Sequence, residues 1–301
     1  MIRTSCAVLL VATVACQPVD RRSGNPDTTA TVAETPPAPD SAAVAAAAPD
    51  TAAAPPPPQP AQLLVPGDHY AGSVHTVTGE TWLGLFPSDS GWALKATDVT
   101  VVAIRNACAD TGAQKTGRRV GVDVGGTPLF LVRHAPSLKP GAAHAVLTER
   151  VRLYPGERRA FELGSPAVPW TIAAYGSVPQ PATGRAGDDA IREYSLVVSR
   201  SPWTTSQAIF TFRAPGSGAG LRLPPAVLWA GDVSGDGHLD VFVDLTAGDL
   251  PGPLVLYVSN PGEGPELLRK VADYQPGRCD QGGRAAGSGG DATPEPPPMP
   301  H

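Results

Sequence analysis

Residues 232–240, Asp-Val-Ser-Gly-Asp-Gly-His-Leu-Asp, place oxygen donors at alternating positions, the pattern a calcium loop requires. Counting Asp232 as first, Ser234 is third, Asp236 fifth, the His238 carbonyl seventh and Asp240 ninth, while Gly237 supplies the sharp turn. In a helix–loop–helix calcium hand the position of the closing bidentate Glu falls on Val243, and the next carboxylate, Asp244, comes one residue late. Asp244 is therefore a candidate additional ligand, directly or through water. The competing reading is a plain polar turn, because Asp, Gly and Ser are what tight connections use. Nothing beside the loop reads as a nucleophile or general base, and the His238 side chain reads as a solvated loop histidine. A bound Ca2+ here is expected to be structural.

The flanking residues 226–230 and 239–245 are β-branched and aromatic, without helical periodicity, so the loop is expected to join two strands. In the second strand Asp240, Phe242 and Asp244 should share one face, with Val241 and Val243 on the other. Residues 231–244, followed by 253–260 and by Gly262 and Gly264, resemble the calcium-binding hairpin of FG-GAP repeats, the blade element of integrin-like propellers. The resemblance implies Asp232, Asp236 and Asp240 as side-chain ligands, with Ser234 where that family more often carries Asp or Asn. It covers only about thirty residues, and no second Asp-x-x-x-Asp-Gly-x-x-Asp follows, so a repeat propeller is not implied.

The N-terminus carries Arg3, a short apolar run over residues 6–14 and then Ala15 and Cys16. That run is too short for a permanent membrane span. Residues 12–16 resemble a bacterial lipobox, which implies removal of residues 1–15, lipidation of Cys16 and stable anchoring in a membrane. Gln17 after the cysteine, rather than Asp, points by the same resemblance to the outer membrane. An ordinary secretory signal, leaving a soluble exported protein, is the alternative.

Residues 16–62 are rich in Ala, Pro, Thr and Asp, with almost nothing apolar to bury, and read as a lipid anchor followed by a disordered tether. In a polyproline conformation, at about 3.1 Å per residue, the tether would reach on the order of 140 Å. Residues 280–301, rich in Gly and Pro, read as a disordered tail. Between them, short apolar runs at 81–86, 99–104, 128–132, 170–175, 194–198 and 208–212 are separated by Gly, Pro and Asp clusters. This spacing predicts an all-β fold, a sandwich or barrel-like architecture. Two lobes are expected, 63–164 and 165–279, with a seam near 164–167 or within 176–188. One helix is allowed for, over 142–152.

Cys108 and Cys279 remain as a potential disulfide pair in an oxidising compartment, with free thiols as the alternative. A net charge of -5 gives no basis for nucleic-acid binding, which needs a concentrated basic face. No nucleophile elbow, phosphate loop or zinc helix is present. His69, His75, His134 and His144 match no zinc spacing and read as polar loop residues. Glu80 and Asp89 would make a glycosidase acid pair only if folding brought them together. Trp82, Trp170 and Trp229 lie in strand-like runs and should be core, whereas Trp92 and Trp203, beside turns, are the candidate exposed aromatics for binding. The reading is a non-catalytic, tethered cell-envelope lipoprotein whose calcium-stabilised β domain binds an envelope protein or glycan. A cell-envelope hydrolase of glycan or peptide, and a structural spacer, are the alternatives.

Overall fold

The computed structural model describes residues 58–70, 73–106, 110–111, 113–123, 125–177, 190–201, 205–214, 220–247, 252–260, 262 and 266–277. Among them every regular element is a strand, sixteen in all, so the chain is all-β. Twelve strands form one large sheet. Its path runs β1 (Gln62–Leu64), β6 (Leu131–Arg133), β3 (Thr81–Ser88), β4 (Gly91–Ile104), β7 (Gly141–Leu147), β13 (Ala226–Asp232), β14 (Asp240–Asp244), β15 (Leu254–Ser259) and β16 (Leu268–Tyr274). Off this path, β2 (Gly67–His69) pairs with β5 (Gly117–Val122), β5 pairs with the second half of β4, and β8 (Val151–Arg152) pairs with β13. The last strand, β16, returns to lie against β1 without a hydrogen-bonded ladder, so the sheet nearly closes into a barrel. The other four strands, β9 (Arg158–Leu163), β10 (Val168–Ser177), β11 (Glu193–Arg200) and β12 (Thr205–Arg213), form a meander in the order β12-β11-β10-β9.

Period-two alternation decides which side chain goes where. Along β14, Phe242 enters a core with Trp82, Phe130, Trp229 and Leu256, whereas Val241 and Val243 enter a second core with Trp170, Ile172, Tyr194 and Leu196 of the small sheet. The wall β13–β15 is thus buried on both faces, and its strands are almost continuously apolar, as two-sided burial demands. Gly231 is required where β13 meets β7, because a Cβ there would run into the His144 carbonyl.

Several expectations are corrected. Residues 142–152 form β7 and β8 rather than a helix: pairing with β4 and β13 outweighs the helix preference of Ala142, Ala143 and Ala145. Residues 164–167 are the turn of the β9–β10 hairpin, and the alternative seam within 176–188 lies, beyond residue 177, outside the described residues. The large sheet runs across the expected lobe boundary at 164/165, since β13–β16 continue the sheet begun by β1–β7. His69 and His144 lie on strands rather than in loops, and His69 is buried, while His75 and His134 are exposed outside strands.

Candidate functional site

The Asp-rich segment is the connection of the β13–β14 hairpin, and two glycines make its turns, Gly235 at φ 78° and Gly237 at φ 80°. Three carboxylates organise the loop by accepting backbone N–H donors. Asp232 receives the amides of Gly235 (2.6 Å), Asp236 (3.1 Å) and Gly237 (2.8 Å), with the Ser234 hydroxyl at 3.3 Å. Asp240 receives Val233 and Ser234, both at 2.8 Å, on one oxygen and Ser259 at 2.7 Å on the other. Asp236 receives the His238 amide at 2.9 Å and the Ser259 hydroxyl. Ser259, on the neighbouring strand β15, therefore clamps two loop carboxylates at once. Its clamping role is not legible in the sequence, where a serine near a strand end carries no distinguishing signal.

Asp240 is fully buried, and burial pushes its carboxyl up to about 7, with the negative charge of Asp236 acting in the same direction against the amides of Ser259 and Ser234. Among the described residues no Lys, Arg or His side chain lies within ion-pair distance of Asp232, Asp236 or Asp240. A buried carboxylate without a cation is costly, so the charge of the loop suits a metal ion. Placement suits it less. The three carboxylates turn onto amides, and among the described residues no group of three or more His, Cys, Asp or Glu side chains is disposed to hold a metal. Asp232 Oδ2, both Asp236 oxygens and Asp240 Oδ1 each accept a single hydrogen bond and retain a second lone pair, and Ser234 and the His238 carbonyl add neutral oxygens at the positions a calcium loop uses.

The hairpin loop rests on the small sheet. Gly164, in the β9–β10 turn, approaches the Gly237 carbonyl so closely that a Cβ on it would lie 2.8 Å away. The His238 ring packs 6.1 Å from the Trp170 ring, so this histidine is half-buried rather than solvated as expected.

Asp244 is not brought to the loop. It shares a face with Asp240, but four residues of extended strand separate them by about 13 Å. Its oxygens are taken by the Arg150 guanidinium at 2.9 Å and the Thr246 amide at 3.0 Å. Trp92 is half-buried and lines a pocket that also contains Arg150 and Asp244. Trp82, Trp170 and Trp229 are core. Cys16, Cys108, Cys279 and Trp203 lie outside the described residues.

Glu80 and Asp89 are not an acid pair. They flank opposite ends of β3, about 30 Å apart along the extended chain, whereas glycosidase carboxyls sit within about 5–9.5 Å. Glu80 accepts from Arg133 at 2.5 Å and from Thr76, and the Arg133 hydrogen bond holds its carboxyl down to about 2. It is thus a permanent acceptor and not a proton donor near neutrality. Arg133 also donates to Gln62 at 2.7 Å and to the His75 carbonyl at 3.2 Å, and it stacks 4.6 Å over Trp82. Arg133 and Trp82 also line a cavity of about 580 Å3, so the guanidinium on its wall is already committed to Glu80, Gln62 and the His75 carbonyl. No protein-family model, curated protein or solved structure matches this chain.

Proposed function

We propose that this chain is a non-catalytic cell-envelope lipoprotein. Its lipid on Cys16 anchors a tether, and the tether presents an all-β domain whose 232–240 hairpin takes Ca2+ as a structural brace. The observation that carries the calcium reading is Asp240: a fully buried carboxylate beside Asp236, in a loop with three carboxylates and no paired cation among the described residues. Calcium would supply the missing positive charge, held by Asp232, Asp236 and Asp240 with Ser234 and the His238 carbonyl. The FG-GAP resemblance points to the same residues. Support for the envelope address is the lipobox-like segment 12–16 followed by the Pro-rich tether. The partner is an envelope protein or a glycan, met by the domain surface at the end of that tether.

Titrating Ca2+ into the protein by calorimetry tests the brace. One saturable site is expected, lost in Asp236→Ala, whose side chain is exposed enough to leave the strands intact. Absence of binding at millimolar calcium would remove it. The address is tested separately by fractionation: Cys16→Ser should move the protein from the membrane to the soluble fraction. An unchanged distribution would defeat the anchor.

A further inference from the structure

At the end of β14 away from the Asp-rich loop, the sheet leaves a pocket of about 380 Å3, within the roughly 300–1,000 Å3 of small-molecule sites. Its floor is Phe242 and Leu254, and its walls include Trp92, Pro87 and Pro128. Leu228 completes the wall through a β-bulge. Val227 pairs with Val243 and Trp229 with Phe242, so Leu228 has no partner across the ladder and lines the pocket instead. Bulges recur beside sites where a side chain must be re-aimed, and this one sits in the most deeply buried wall of the molecule.

The polar part of the pocket is unbalanced in charge. Asp244 is 2% exposed and pairs with Arg150, whose side chain is 44% exposed. A second guanidinium stands nearby: in register, Arg152 and Asp244 both lie directly opposite Ala226, so all three share a face with only the small Ala226 between the charges. Arg152 donates to the Pro224 carbonyl. Among the described residues Asp244 is the one carboxylate within ion-pair distance of either arginine. Arg152 does not itself line the pocket, but its charge beside the Arg150–Asp244 pair leaves the surroundings of the pocket net positive. Arg150 spends one hydrogen bond on Asp244 and keeps further donors of its planar fork for a ligand.

We propose that this pocket binds a small organic anion: an apolar, ring-sized body resting on Phe242 and against Trp92, with one carboxylate or equivalent anionic group received by Arg150. The body replaces water on an apolar surface, and the guanidinium supplies a charge-assisted, two-pronged contact. A polyhydroxylated sugar would find too few polar partners here, and a cation would meet the excess positive charge. The site is independent of the calcium loop, which occupies the other end of β14.

The test is fluorescence titration of the full chain with 8-anilinonaphthalene-1-sulfonate, an aromatic anion, and with N-phenyl-1-naphthylamine, its uncharged counterpart. The anion should bind saturably at one site and be displaced by 1-naphthoate. Arg150→Gln should weaken the anion at least tenfold and leave the neutral probe within about twofold. Leu228→Phe, which fills the pocket without touching a charge, should weaken both. Should Arg150→Gln fail to fold, Leu228→Phe decides. Anion affinity unchanged in Leu228→Phe, equal losses of both probes in a folded Arg150→Gln, or no saturable binding would each overturn the proposal.

Discussion

Asp240 and Asp244 occupy the same face of one strand and meet opposite electrostatic settings. Asp244 has an arginine, whereas Asp240 has only amides and a neighbouring negative charge. The strand alternation that put them on one face was legible in the sequence, because Phe242 between them and Val241 and Val243 opposite make the period unmistakable. Which of them faces an arginine was not legible, since Arg150 is far away in the chain and paired through the fold. Two outcomes follow at this scale. Both oxygens of Asp240 accept backbone N–H groups, so in Asp240→Asn the amide NH2 must oppose a donor in either orientation. Urea unfolding should show a loss of about 1–3 kcal/mol. Asp244→Asn, by contrast, should leave calcium binding unchanged in calorimetry, because its place is with Arg150. Glu80 sets a pH dependence: its folded carboxyl is held at about 2, below the usual value of 4.5. Its contribution is fully present above about pH 4.5 and is lost as the pH falls toward 2, because the unfolded chain takes up the proton first. With the side chain 32% exposed, about 1–2 kcal/mol is expected after solvent screening, visible as acid destabilisation that is flatter in Glu80→Gln.

The strands themselves were foreseeable wherever apolar runs lay between Gly, Pro and Asp clusters, as in β3, β10, β11 and β14. The failure at 142–152 has a specific cause. Ala142, Ala143 and Ala145 favour a helix in isolation, but β4 and β13 offer their edges to this segment, and pairing settles its conformation. The junction of β7 with β13 is tight enough to require Gly231, whose added Cβ would strike the His144 carbonyl and Ala145. Gly231→Ala should therefore lower stability by about 2 kcal/mol or more in denaturant unfolding, an effect no exposed-strand glycine would show. A loss under about 0.5 kcal/mol would mean that β7 and β13 separate at little cost.

For the molecule as a whole, the wall β13–β15 couples two cores, each of which draws on both of the segments, 63–164 and 165–279, that the sequence suggested were separate lobes. Composition and turn spacing cannot reveal that β13–β16 rejoin a sheet started more than a hundred residues earlier, because that pairing is long-range. The consequence is shared stability. Trp82→Ala in one core and Trp170→Ala in the other should each cost about 3–5 kcal/mol and shift one common unfolding transition. Separate transitions would mean that the small sheet folds alone. The Asp-rich hairpin lies in this wall and rests on the small sheet through Gly237 and His238, so the proposed calcium ion would brace both layers. The decisive measurement is the melting temperature of the protein in calcium and in chelator, alongside Asp236→Ala. The account predicts a rise with calcium, on the order of 3 kcal/mol of stabilisation at a hundredfold excess over the dissociation constant, and no rise in the variant. Identical melting in calcium and chelator would contradict it and reduce the loop to a turn held by its own amides.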